Sequence, residues 1–379
     1  MLCKKNRYQR MIAISFVFTP DRHIGGSYLC TPTEIGKSLN FFGFSLAYSY
    51  LCTPIKGIDK IIMYTKTLKR TLLVCLALGQ CVTALAQLSD PREKFSITAT
   101  VDGGTNTDYR WETEDGQLLE RGRLRQDVNA RLRMNVKLLG NQRFSLAFSP
   151  FYNFSAQNMK PNADGPQLNL PIPDTQHHFG GSFTANYNTQ WLGKPFTLMG
   201  MLTGNFSKYG YENFSAMLGA MFAITRNRTT YLGLGAICLL GTSVRWPLYP
   251  LIVYTHRFDD KWSINCMETN NYLYYQVSPK LRCAVGMELA TDKMYLRPDR
   301  EDLPRKAEIS ELAERFGVFA DLQATKELTF NVGVGATVPF YSRLRESGYN
   351  KTYMRMYDHV KPFVKLQMKY RIFSDKKSE

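Results

Sequence analysis

The chain has 379 residues, 44% of them hydrophobic and 13% aromatic, with 48 Lys and Arg against 32 Asp and Glu, a formal charge of +16. No stretch reaches the roughly 18–20 consecutive apolar residues that a spanning helix needs. The basic balance is accompanied by no nucleic-acid motif, so nucleic acid is not an expected partner.

Residues 1–62 show no sustained periodicity. They hold Ser27-Tyr28-Leu29-Cys30-Thr31-Pro32, repeated as Ser49-Tyr50-Leu51-Cys52-Thr53-Pro54. Two copies are too few to stack into a repeat fold. One codon spelling of Tyr-Leu-Cys, TAT-CTT-TGC, resembles a promoter element of gut Gram-negative bacteria. The segment 1–62 is therefore read as disordered, translated upstream DNA, with Met63 as the start. Residues 63–86 then form a cleaved signal peptide: a positive stretch ending in Lys69-Arg70, an apolar core from Thr71 to Leu78, and Ala84-Leu85-Ala86 as the cleavage motif before Gln87.

From Gln87 onward 37 Lys and Arg face 29 Asp and Glu, a net +8. Five of the 8 Cys precede Gln87. Gln80 is the wrong neighbour for Cys81 to be a lipid acceptor. Cys238, Cys266 and Cys283 remain, each in an apolar stretch, with spacing that suits neither a disulfide framework nor zinc.

Beyond Phe95 the dominant signal is a period of two. Val128, Ala130, Leu132, Met134 and Val136 alternate with Asn129, Arg131, Arg133, Asn135 and Lys137; Val364, Leu366, Met368 and Tyr370 alternate with Lys365, Gln367, Lys369 and Arg371. Such segments have one apolar and one polar face. The pattern predicts strands near 95–101, 128–139, 143–154, 179–189, 195–205, 216–225, 229–238, 247–257, 261–268, 272–278, 281–289, 315–325, 328–338 and 360–373. Several reach the roughly 9–11 residues of a tilted strand crossing a bilayer. Residues 87–379 are therefore expected to form an all-β domain, a closed antiparallel transmembrane β-barrel of about fourteen strands, with twelve as the alternative. Long connections are expected at 103–127, 155–178, 290–314 and 339–359. Short ones are expected at 139–142, 226–228, 259–260 and 326–327, as in outer-membrane barrels with long outer loops and short periplasmic turns. Within 302–315, Pro304 followed by Ile309, Leu312 and Ala313 predicts a short amphipathic helix in an outer loop.

Asn153-Phe154-Ser155, Asn205-Phe206-Ser207 and Asn213-Phe214-Ser215 fall at strand ends, where Phe suits the lipid interface. The alternating segments, together with Pro250-Leu251-Ile252-Val253-Tyr254-Thr255-His256-Arg257-Phe258 and Lys261-Trp262-Ser263-Ile264, resemble an uncharacterised outer-membrane β-barrel family of gut Gram-negative bacteria. The resemblance would cover most of 95–373. It implies a barrel and no catalytic residues.

If the apolar faces meet lipid, Arg131, Arg133, Lys137, Arg282, Lys361, Lys365, Lys369 and Arg371 point into the lumen. Such basic rows would attract anions. Equally, they would fill the barrel by pairing with inward acids such as Asp102, Glu288 and Asp321. His177-His178 are adjacent and would diverge in a strand, a poor chelate. No His-x-Ser or Gly-x-Ser-x-Gly motif is present. No catalytic, cofactor-binding or metal site is therefore expected, and the protein is not expected to be an enzyme. Two function classes follow: an outer-membrane channel or transporter for small anionic or amphipathic solutes, or a barrel whose outer loops bind a partner or shape the surface. Outer-membrane lipid is the expected surrounding in both.

Overall fold

The computed structural model describes residues 93–141, 143–240, 247–267 and 270–373. The expected upstream segment 1–62 and signal peptide 63–86 lie outside the described residues.

Alternating side chains generate antiparallel strands throughout: β1 (Glu93–Thr113), β2 (Leu118–Gly140), β3 (Phe144–Pro161), β4 (Thr175–Trp191) and β5 (Lys194–Ser207). There follow β6 (Gly210–Arg226), β7 (Thr230–Leu240), β8 (Leu248–Arg257), β9 (Trp262–Met267) and β10 (Asn270–Ser278). The last are β11 (Leu281–Leu296), β12 (Ala307–Gln323), β13 (Leu328–Glu346), β14 (Thr352–Asp358) and β15 (Lys361–Phe373). Each strand from β1 to β13 pairs with its sequence neighbours. β14 and β15 both lie between β13 and β1 and act as one strand interrupted at His359-Val360. The result is a closed ring of fourteen.

Exposure settles which face is outward. Val364 is 61% and Leu366 51% exposed, whereas Lys365 between them is 9% exposed. Val101, Leu202, Leu218, Ile252, Val285 and Val334 are exposed on the same outer surface. An apolar belt around a ring with no free edge is the surface of a transmembrane β-barrel.

The turns at one end are tight. Leu192 and Gly193 join β4 to β5 with positive φ at both positions, a turn whose twist matches the strands it connects. At the β8–β9 turn the Asp259 carboxylate accepts the N–H groups of Lys261 at 2.7 Å and Trp262 at 2.6 Å. Those two donors hold its pKa below the ordinary carboxylate range.

At the other end the structure departs from expectation. Much of each expected long connection is strand that continues past the apolar belt. Of those four stretches only 114–117, 162–174, 297–306, 347–351 and His359 lie between strands. The helix expected within 302–315 is absent. Pro304 lies in the 297–306 connection, and Ala307 onward belongs to β12, paired on both sides with β11 and β13. A β-bulge does interrupt the β12–β13 pairing, but its extra residue is Phe340 on β13, and β12 itself runs unbroken. The apparent helical spacing comes instead from burial on both faces: Ile309, Leu312 and Ala313 are all buried, so apolar residues sit on either face and the period of two is lost. Two ladders of hydrogen bonds outweigh the propensity of one short amphipathic segment.

The outward position of Val334 yields a direct test. Val334→Arg puts a guanidinium on the lipid face and should lower stability by about 2–4 kcal/mol if near the bilayer midplane. Gln367→Arg, on an inward position, should change it far less. Urea unfolding from lipid vesicles measures both; equal losses would mean that the faces are misassigned.

Candidate functional site

The inward positions of β1, β2, β11–β13 and β15 carry charge, and the ring brings those charges together. Asp102 of β1 accepts a hydrogen bond from Arg315 of β12, and Arg131 of β2 lies 3.2 Å from its other oxygen. The Arg315 guanidinium also sits 5.4 Å above the ring of Phe363. Lys361 donates to Asp127 at 2.8 Å, with Glu311 at 3.4 Å and Asp358 at 3.6 Å. Lys365 donates to Glu288 at 2.6 Å, and the Tyr272 hydroxyl donates to the same carboxylate. A charge withdrawn from water is tolerable only with a partner and hydrogen bonds. These groups form a mutually neutralising layer across the lumen.

The other basic residues singled out in the sequence are placed as follows. Arg133 faces the Phe151 ring at 5.8 Å. Lys137 lies against Gly140, whose missing Cβ leaves room for it. Arg282 pairs with Asp321 at 2.7 Å and stacks 3.9 Å over Tyr274. Lys369 lies 4.0 Å from Glu93, and Arg371 donates to Thr329 at 3.3 Å. Sequence reasoning missed Asp127, Glu311, Arg315 and Asp358. Asp127 and Asp358 fell in expected loops, and Glu311 fell in the expected helix. Arg315 fell where the end of that segment met the expected strand 315–325.

The remaining wall differs. Met199, Met217, Met221, Ile237, Leu251 and Val253 of β5–β8 form one buried cluster. Leu198, Leu218, Leu234 and Ile252 on the same strands are exposed outside. These strands are apolar on both faces. The interior is thus ionic on one side and rich in Met on the other.

At the loop end the lumen is closed. Ala307, Glu308 and Ile309 are 0%, 0% and 3% exposed. Consecutive residues point to opposite faces, so both faces of this end of β12 are covered. Still paired with β11 and β13, it lies over the mouth. One face packs Ile309 with Leu344, Met294, Trp111 and Met356, together with Leu168 and Leu303 of the connecting segments. The other face is polar. Glu308 accepts from Arg345 Nε at 2.6 Å, from Asn213 of β6 at 3.0 Å and from Ser347 at 3.2 Å. Gln176 of β4 exchanges two hydrogen bonds, 2.6 and 2.9 Å, with the backbone of Tyr295 in β11. β4 and β11 stand on opposite sides of the ring, so these bonds cross the lumen. In the Asn-Phe-Ser triplets, Phe206 and Phe214 are exposed outside, while Asn205 and Asn213 turn inward and bond each other at 2.7 Å. His178 is also inward, 3.2 Å from Asn205, whereas His177 is on the outer face, 2.7 Å from the Tyr152 hydroxyl.

At the turn end the lumen widens into a vestibule of about 520 Å³. Tyr272, Tyr274, Arg282, Asp321, Lys369 and Arg371 are among the residues lining it.

No protein-family model and no curated protein matches the chain. Among solved structures it is similar to an outer membrane channel from Pseudomonas putida F1, at 13% identity over 74% of this chain and 96% of that one, with a TM-score of 0.38. It is similar to a Pseudomonas aeruginosa FadL homologue at 11% identity over 75% and 93%, TM-score 0.36. A third is the translocator domain of the autotransporter NalP from Neisseria meningitidis, at 10% identity over 83% and 98%, TM-score 0.28. Likenesses this distant carry no argument about function.

The ionic layer predicts a large effect from a small change. Asp102→Asn leaves Arg131 and Arg315 without their carboxylate and should cost about 3–5 kcal/mol. Urea unfolding in detergent micelles reads it. A loss below about 1 kcal/mol would show that water, not Asp102, neutralises the two guanidinium groups.

Proposed function

We propose that the protein is an outer-membrane channel for small anionic or amphipathic solutes, held closed at its loop end in this conformation. The observation that carries this reading is the way the mouth is shut. The plug is made of the barrel's own strand ends, held by side-chain hydrogen bonds such as Gln176 to Tyr295 and Asn213 to Glu308. A structural filler would need no counterpart below it. Here the closed mouth stands above a polar vestibule of about 520 Å³. The β-bulge at Phe340, opposite Leu312 and Ala313, supplies a bend in β13 at the base of the plug. With short turns in the periplasm and long loops outside, the plug faces the exterior and the vestibule faces the periplasm. The ionic and Met-rich sides of the interior suit a solute with one charged and one apolar part.

The second reading is a barrel that transports nothing and presents its loop end to a partner. The apolar packing around Trp111 and Leu344 favours it, because that cluster is built like a core.

Planar-bilayer recording separates the two. Wild-type protein should show rare, small openings. Gln176→Ala combined with Glu308→Ala removes bonds across the mouth and should raise the open probability about tenfold, which corresponds to about 1.4 kcal/mol. A double variant that folds yet conducts nothing would support the second reading.

A further inference from the structure

The vestibule holds an imbalance that the rest of the lumen does not. Its lining includes Lys280, Arg282, Lys365, Lys369 and Arg371 against two acids, Glu288 and Asp321. Both acids are already engaged. Asp321 accepts from Arg282 at 2.7 Å and from the Asn331 amide at 2.7 Å; Glu288 accepts from Lys365 and Tyr272. Lys369 has a 4.0 Å contact with Glu93, and Lys280 lies exposed in the β10–β11 turn. A walled cavity with surplus positive charge concentrates anions, because its low-dielectric surroundings screen the field poorly.

Two lining side chains refine the ligand's chemistry, Arg371 and Asn331. The planar guanidinium fork of Arg371 suits a carboxylate. The Asn331 amide, which donates to Asp321 at 2.7 Å, suits a hydroxyl. Most of the remaining lining is amide and hydroxyl, including Asn270, Gln276, Gln367 and Thr329, groups that bond hydroxyls in either direction. The volume lies within the range of small-molecule sites.

We propose that the vestibule binds a small polyhydroxylated carboxylate, a sugar acid, with Arg371 and the neighbouring lysines on the carboxylate and Asn331 on a hydroxyl. This assignment rests on the reading of the barrel as a solute pathway and narrows its solute to the hydrophilic anions.

The test is calorimetric titration of the refolded full chain in detergent at physiological salt with three probes: D-gluconate, D-glucose and butyrate. Gluconate should bind about tenfold more tightly than either of the others. Lys280→Gln, on an exposed turn where folding is not at stake, should weaken gluconate binding about threefold. Arg371→Gln should weaken it about tenfold or more. Asn331→Leu should weaken gluconate and leave butyrate unchanged. Glucose binding as tightly as gluconate would overturn the anion assignment, and butyrate doing so would overturn the hydroxyl assignment. Gluconate binding untouched by Lys280→Gln and Arg371→Gln would place the ligand elsewhere. Bilayer conductance of the same preparation reads the channel separately. A barrel that binds gluconate without conducting keeps the site and loses the channel, and one that conducts without binding gluconate loses the site.

Discussion

Ring closure between β1 and β15 is the contact on which the structure depends. Its register runs from Phe95 opposite Ile372 to Gly104 opposite Phe363, and it sets Asp102 opposite Lys365. Within lipid no backbone donor or acceptor can be left to water, so an open sheet edge is forbidden and the first strand must find the last. Closure then makes one face of every strand an interior. Val101 and Leu366 go to lipid, and Asp102 and Lys365 go inward. The register is firm because a slip of one residue would place each lysine in hydrocarbon.

Once the charges are inside, they must neutralise one another. Asp102 serves Arg131 and Arg315, which come from different parts of the chain. Lys361 is surrounded by Asp127, Glu311 and Asp358. The layer is therefore a sink for most of the charge on that wall, and it leaves the surplus at the turn end. That separation matters for function. Paired charges in mid-lumen give structure, and the unbalanced ones at the vestibule are those on which the proposed anion site rests.

Above that layer the strands change character within one belt. Asn106 of β1 has a positive φ, β14 and β15 part at His359-Val360, β2 shifts register at Leu124, and β13 is bulged at Phe340. Below the belt the inward residues of β1 are even-numbered, as with Asp102. Above it they are odd-numbered, as with Tyr109 and Trp111. Each irregularity exchanges the faces of its strand. Together they turn apolar side chains into the mouth, where they can pack, and send Arg110 and Arg123 to solvent. The plug and the barrel are thus one sheet with its inner surface rewritten partway along.

What the sequence alone determined was the barrel class and the orientation of the regular strands. Alternation such as Val364-Lys365-Leu366 needs no partner to show which residues share a face, because that follows from strand geometry alone. The acids Asp102, Glu288 and Asp321 were visible as candidate partners for the same reason. Three things were decided only by tertiary structure. In β5–β8 Met217, Ile237 and Leu251 make the inward face apolar too, and a strand apolar on both faces has no period to tell lumen from lipid. The end of β12 read as a helix because both of its faces are covered in the mouth, so Ile309, Leu312 and Ala313 are all apolar and the period of two is lost. The pairing of Arg315 with Asp102, 213 residues apart in sequence, depends on ring closure, and no local signal records which distant strand will be near. A side chain's face is a property of its own strand, whereas its partner is a property of the closed ring.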